Sequence, residues 1–164
     1  MSGGNRIAAA FLALASALAL APAAAVGARE FDAASMASIT ARHCGKGPFA
    51  LALWSLECPH CKDGLKTLEA LRRQRPDVRL VLVQTDAAEQ AEAGEDLLKR
   101  LGINASEHWT FADEAPERLR YAVDRQWAGE LPRTYLYHDD CRRIGISGVL
   151  KTDQIRAWLR GEQP

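Results

Sequence analysis

Residues 49–54, Phe49-Ala50-Leu51-Ala52-Leu53-Trp54, form an unbroken apolar run. The preceding segment, His43-Cys44-Gly45-Lys46-Gly47-Pro48, is a turn by composition, so the run reads as a strand buried on both faces of a sheet. From Pro59 onward the period changes. Leu65, Leu68 and Leu71 recur at three-residue steps, with Lys62, Asp63, Lys66, Glu69, Arg72 and Arg73 between them. This pattern predicts a helix with one core-facing stripe, Pro59 at its first position and Pro76 closing it. Gly64 lies inside that helix at a cost of about 1 kcal/mol relative to alanine. Residues 78–83 predict a second strand, followed by Gln84-Thr85-Asp86. Strand, helix and strand within about 35 residues make a βαβ unit, whose strands are parallel and whose crossover is right-handed.

The remaining chain is read in the same way. Residues 87–101 are helical by composition, with Leu97, Leu98 and Leu101 near the end and Gly102 after it. Residues 109–111 read as a short strand, and residues 116–127 as a helix burying Leu119, Ala122 and Val123. Thr134-Tyr135-Leu136-Tyr137 is rich in strand formers. After a turn at His138-Asp139-Asp140, residues 143–149 return as its hairpin partner. Thr152 or Asp153 caps a last helix that turns Ile155, Trp158 and Leu159 inward. Residues 29–42, with Phe31, Met36 and Ile39, carry only a weak signal for a short helix or strand.

The first 28 residues follow a different logic. Arg6 is the only charged side chain before Arg29, residues 7–20 are almost wholly apolar, and Pro22 is followed by a run of small residues. This is the layout of a secretory signal peptide, with cleavage expected after Ala25 or Ala28, leaving residues 29–164 as the domain proper. The apolar core of about 14 residues is shorter than the ~20 of a membrane helix; the alternative is an uncleaved anchor, and no membrane span is expected after cleavage. The 164 residues balance 21 basic against 21 acidic side chains, and removing Arg6 leaves a formal charge of −1. That near-neutrality argues against nucleic acid or an anionic membrane surface as the main partner. Export also sets the redox context: the periplasm or its equivalent permits disulfides, and the four cysteines, Cys44, Cys58, Cys61 and Cys141, are an even number.

Two of them stand in Cys58-Pro59-His60-Cys61, where the first strand hands over to the first long helix. A helix N-terminus presents unpaired N–H groups and the positive end of the dipole, and a thiol there ionises more easily. A second cysteine one turn further along can close a disulfide with the first. Two blander readings stand beside this redox pair. One is a purely structural disulfide. The other is half of a zinc site, completed on paper by His43, Cys44, His60 or Cys141.

The order βαβ, helix, Leu131-Pro132, strand, hairpin, helix resembles the thioredoxin fold, an α/β fold with a central mixed sheet flanked by helices. More narrowly it resembles the secreted TlpA/ResA-like thiol–disulfide oxidoreductases, over roughly residues 44–160. The resemblance is carried by the strand ending at Trp54, the Cys58-Pro59-His60-Cys61 motif, the strand leading to Asp86, and Trp127-Ala128-Gly129-Glu130-Leu131-Pro132-Arg133. It implies that Pro132 is cis and faces the cysteine pair, with the Leu131 backbone offered to substrate as an edge strand. The chain departs from the family in having Glu57 where a tryptophan is usual before the first cysteine. It lacks the usual proline inside the active-site helix, near Lys66, and has Asp139-Asp140-Cys141 in place of Asp-x-Gly. The Pro59-His60 dipeptide is that of strongly oxidising disulfide donors.

The resemblance implies thiol–disulfide exchange with protein thiols. Cys58 attacks and Cys61 resolves the mixed disulfide. The direction it implies is reductive, recharged by a membrane-bound electron donor and serving cytochrome c maturation or metal-centre assembly. Pro59-His60 leaves disulfide donation open, and a metal-binding module using Cys58, Cys61 and His60 is the non-enzymatic alternative. No cofactor and no metal are assigned. His60 either stabilises the Cys58 thiolate or faces solvent without influence. Glu57 either relays a proton to Cys61 or is a solvated surface residue. Trp127 either lines the groove near Pro132 or belongs to the core. In a thioredoxin fold the strand after Pro132 runs antiparallel to the strand at residues 49–54, which brings Cys141 to the edge where Cys44 lies. A structural Cys44–Cys141 disulfide is therefore expected, with two free thiols or a second redox relay as alternatives.

Overall fold

The computed structural model describes residues 27–162. The expected signal peptide lies outside them except for Gly27 and Ala28. The elements in chain order are β1 (Arg29–Phe31), α1 (Ser35–His43), β2 (Phe49–Trp54), α2 (Cys61–Gln74), β3 (Arg79–Gln84), α3 (Ala91–Leu101), β4 (Glu107–Phe111), α4 (Pro116–Val123), β5 (Arg133–Tyr137), β6 (Arg143–Ser147) and α5 (Thr152–Leu159). The strands form one mixed sheet in the order β1-β4-β3-β2-β5-β6. β1, β4, β3 and β2 are mutually parallel, and β5 and β6 join antiparallel.

The apolar run at β2 is central, and its six residues are all buried. Successive side chains point to opposite faces, so the run feeds two cores. Ala50, Ala52 and Trp54 meet Leu65, Leu68 and Leu71 of α2, Leu97 and Leu98 of α3, and Trp158 of α5. Phe49, Leu51 and Leu53 meet Met36 and Ile39 of α1 and Leu119 and Val123 of α4. Small alanines on the first face let α2 lie close to the strand that leads into it. Truncating one of its stripe leucines to alanine removes about 2–5 kcal/mol.

Several boundaries differ from the periodicity, each for a local reason. Residues 29–42 resolve into the edge strand β1 and the helix α1. The helix expected from residue 87 is preceded by a separate 3₁₀ turn at Ala88–Gln90, because the buried Gln84 amide donates to the Gln90 carbonyl at 3.1 Å. α3 ends as expected: Gly102 takes φ 65° and Ile103 N–H returns to the Leu98 carbonyl at 3.0 Å. α4 stops at Val123, not Trp127. Asp124 turns extended, and its carboxylate accepts the Gln126 N–H at 3.0 Å and the Tyr135 hydroxyl at 3.0 Å, a local bond that competes with helix. Lys151, not Thr152 or Asp153, occupies the cap of α5, its N–H donated to Gln154 Oε1 at 2.9 Å. Among the described residues no helix is long and apolar enough to cross a membrane.

Candidate active site

β2 ends at Trp54 and β3 at Gln84, in register as parallel neighbours, so the residues just after them emerge side by side at one edge of the sheet. The Thr85 N–H donates to the Trp54 carbonyl at 2.9 Å. One residue on, Asp86 accepts the Ser55 hydroxyl at 2.7 Å and the Leu56 N–H at 2.9 Å. Ser55 in turn receives the Glu57 N–H at 3.2 Å through its hydroxyl and the Cys58 N–H at 3.3 Å through its carbonyl. The loop that delivers Cys58 is thus tied down by a carboxylate on the neighbouring strand. Nothing in the local sequence around Asp86 signals this role; it follows from the parallel βαβ register, which brings Thr85-Asp86 opposite Ser55-Leu56.

The helix begins two residues later than Pro59. Pro59 and His60 are the centre of a turn closed by Cys61 N–H to the Cys58 carbonyl at 3.3 Å, and His60 is the cap residue of α2. Cys58 therefore sits in front of the helix, and Cys61 is its first residue. No side chain caps the N-terminus of α2, so the helix directs its dipole toward the disulfide without a competing cap. Cys58 and Cys61 are bonded, with Cα atoms 5.4 Å apart. Cys58 is 9% exposed and Cys61 1%. Both belong to the core cluster on the α2 side of the sheet, with Cys58 the less buried of the two.

The Leu131–Pro132 peptide bond is cis. The Pro132 ring lies over α2 at Gly64, where an added Cβ would meet Pro132 Cγ at 3.5 Å. Pro132, Gly64 and Cys61 line the same small cavity. Gly64 thus marks the place where α2 passes beneath the proline. Pro132 is also fixed from behind, its carbonyl accepting the Gly148 N–H at 2.8 Å. Leu131 is half-buried and packs against both cores.

The other expected residues are distributed as follows. Pro59, His60 and Glu57 are exposed. The Glu57 carboxylate has no ion pair or hydrogen bond among the described residues, and its backbone N–H is its only polar tie. Trp127 is 5% exposed and belongs to the core on the α1 and α4 side. Its indole N–H donates to the Glu130 carbonyl at 2.9 Å, so it supports the Pro132 loop from beneath instead of opening onto a groove. Cys44 and Cys141 are bonded, with Cα atoms 5.3 Å apart. They lie before β2 and after β5, at the end of the sheet away from Cys58. The length of β2, about 17 Å at 3.3 Å per residue, separates the two pairs. The four cysteines therefore do not converge on one metal ion. Among the described residues no group of three or more His, Cys, Asp or Glu side chains is placed to hold a metal.

Two further charged clusters are structural. Glu69, 4% exposed on α2, accepts from Arg72, Arg73 and the Asn104 N–H, and the hydrogen bond from Arg72 leads in pulling its carboxyl down to about 2. Glu107 gathers Arg42 at 3.2 Å, His43 at 3.3 Å, Arg29 at 3.7 Å and the Trp109 indole at 3.0 Å; burial lowers the His43 pKa.

No protein-family model matches the sequence, and no curated protein matches it. The structure, in contrast, is similar to several solved ones. A secreted Mycobacterium tuberculosis disulfide oxidoreductase homologous to E. coli DsbE shares 17% identity and a TM-score of 0.56, over 74% of this chain and 85% of that one. A thiol:disulfide interchange protein of the thioredoxin family from Chlorobium tepidum shares 16% identity and a TM-score of 0.57, over 74% and 83%. A thioredoxin-related protein from Neisseria meningitidis shares 15% identity and a TM-score of 0.56, over 73% and 87%. The chain has the thioredoxin-like fold of these structures, with a Cys58-Pro59-His60-Cys61 disulfide where its central strand hands over to a helix.

Proposed function

We propose that the protein is an extracytoplasmic thiol–disulfide oxidoreductase acting on protein thiols through Cys58 and Cys61. The observation that carries this reading is the asymmetry of the pair. Cys58 is the less buried residue of the two and stands in front of an uncapped helix, while Cys61 is almost fully buried and shares a cavity with the cis Pro132. In the reductive direction, the Cys58 thiolate attacks a substrate disulfide and forms a mixed disulfide, releasing one substrate thiolate. Cys61 then attacks Cys58, closing the protein disulfide and releasing the second substrate thiol. Two electrons pass from the protein to the substrate. Substrate pairs with the backbone of Leu131, and a membrane-bound donor reopens the Cys58–Cys61 bond.

The direction we favour is reduction of the TlpA/ResA-like type, in cytochrome c maturation or metal-centre assembly. The site of action is the periplasm, reached through cleavage of the leader after Ala25 or Ala28. Cys44–Cys141 is then a bridge that closes a 97-residue separation, worth about 4–5 kcal/mol in the chain-entropy model. One feature supports the opposite direction. His60 is exposed at the cap of α2, two residues after Cys58, and a cation within reach of that sulfur stabilises the thiolate and makes the disulfide more oxidising. Equilibrating the pair with glutathione buffers decides the direction: a potential near about −270 mV supports reduction, and one near about −120 mV supports disulfide donation. The His60→Pro variant reports how much of the value is due to the imidazole.

A further inference from the structure

The second disulfide is more open to solvent than the first. Cys141 is exposed and Cys44 half-buried, whereas both sulfurs of the Cys58–Cys61 pair belong to buried residues. Cys141 sits at the tip of the β5–β6 turn with φ 68°, a left-handed conformation unusual for a residue with a side chain, held by its N–H to the His138 carbonyl at 3.0 Å. The backbone pairing of the sheet does not run through the bond: β2 and β5 are paired from Phe49↔Tyr137 to Leu53↔Arg133, and Gly45 N–H donates to the Asp139 carbonyl at 3.2 Å. Beside the pair runs an open groove of about 460 Å³, with Met36, Ala37 and Val123 as apolar walls and Arg143 at its side. Arg143 is held by the Val123 carbonyl at 3.1 Å and the Tyr137 hydroxyl at 3.3 Å, and its Asp124 partner is no closer than 3.9 Å. The acids nearest Cys141 in sequence are Asp139 and Asp140, and Asp140 is paired with Arg142 at 2.6 Å.

We propose that Cys44–Cys141 is a second thiol-exchange site, at the pole of the sheet opposite Cys58–Cys61, where Cys141 takes up a low-molecular-mass thiol of the glutathione type. The groove is shallow and open, which leaves Cys141 within reach of a small thiol, and the Arg143 guanidinium matches the carboxylates of such a thiol. In the first step the external thiolate attacks the Cys141 sulfur, the Cys44–Cys141 bond breaks, and Cys44 leaves as a thiolate that takes a proton from water. A second thiolate attacks the external sulfur of that adduct. This releases the Cys141 thiolate and a small-molecule disulfide, so two small thiols are oxidised as one protein disulfide is reduced.

The test uses the folded protein carrying Cys58→Ser and Cys61→Ser, so that the outcome is independent of the function proposed for that pair. The oxidised protein is incubated with reduced glutathione in native buffer, quenched with acid, alkylated and mapped by mass spectrometry. The expected result is a glutathione adduct on Cys141 and a Cys44–Cys141 opening rate proportional to glutathione concentration. Arg143→Ala should slow opening by glutathione about threefold and leave opening by neutral 2-mercaptoethanol unchanged. An opening rate independent of thiol concentration and equal to the rate of global unfolding would overturn the exchange site. An equal effect of Arg143→Ala on both thiols, or no effect on either, would overturn the glutathione-type ligand.

Discussion

The carboxylate of Asp86 joins the end of β3 to the loop that carries Cys58, and its removal has a calculable effect. It accepts two bonds, from the Ser55 hydroxyl at 2.7 Å and the Leu56 N–H at 2.9 Å. Bonds to a charged acceptor contribute about 1.5–3 kcal/mol each. Asp86 is half-exposed, so water replaces part of what is lost and the lower end applies. Asp86→Ala should therefore destabilise the protein by about 2–3 kcal/mol. In Asp86→Asn the amide oxygen still accepts from Leu56 N–H, and the Ser55 hydroxyl rotates to accept from the amide N–H. Only charge assistance is lost, and the loss should be about 1 kcal/mol. The same substitution loosens the approach to Cys58, where a misplacement of about 1 Å reduces rates up to ~100-fold. Disulfide exchange in Asp86→Ala should slow by roughly tenfold, with Asn in between. Urea unfolding gives the first quantity and stopped-flow reduction of a model protein disulfide gives the second. A double-mutant cycle with Ser55→Ala should return a coupling of about 1 kcal/mol. An Asp86→Ala protein within about 0.5 kcal/mol of wild type, with an unchanged exchange rate, would refute the clamp.

Glu69 should govern part of the acid stability. Its carboxyl titrates at about 2 when folded, against an ordinary value of 4.5, so its contribution is present above about pH 4.5 and disappears as pH falls toward 2. The full difference corresponds to at most about 3 kcal/mol at neutral pH. Glu69→Gln should flatten the urea midpoint between pH 5 and 2, and an equally steep wild-type and variant profile would contradict this. The two helical glycines should respond in opposite ways to alanine. At Gly94 an added Cβ would overlap Oε1 and Cδ of Gln84, a fully buried side chain already bonded to Gln90, so Gly94→Ala should lower stability by about 1–3 kcal/mol. At Gly64 the nearest atom is Pro132 Cγ at ordinary contact distance, so Gly64→Ala should raise stability by about 1 kcal/mol. Thermal melts of the two variants check both signs.

The main course of the fold is legible in the hydrophobic pattern because its central elements are strongly periodic. Phe49 to Trp54 is an unbroken apolar run, and Leu65, Leu68 and Leu71 mark a single stripe, so the βαβ core follows from spacing alone. The elements missed or misplaced are those decided by one polar side chain. Gln84 splits the turn at Ala88–Gln90 from α3, and Asp124 ends α4 four residues early. Neither bond leaves a trace in periodicity. Within the candidate site, the cysteine motif and Pro132 were readable because their chemistry is local or carried by a family resemblance. Asp86 is not legible there, because it acts on residues of another element, Ser55 and Leu56. Trp127 illustrates the limit in the other direction. Its neighbourhood to Pro132 in sequence is real, but its ring turns into the core and only its N–H reaches the loop.

The central claim is that Cys58 attacks and Cys61 resolves. Trapping tests it most directly. The reduced Cys61→Ser and Cys58→Ser variants are each incubated with a disulfide-bonded protein substrate, and the products are separated under non-reducing conditions. The account predicts a stable covalent complex through Cys58 in Cys61→Ser and essentially none in Cys58→Ser, because the remaining Cys61 is 1% exposed. Equal trapping by both variants, or a complex formed mainly through Cys61, would contradict it.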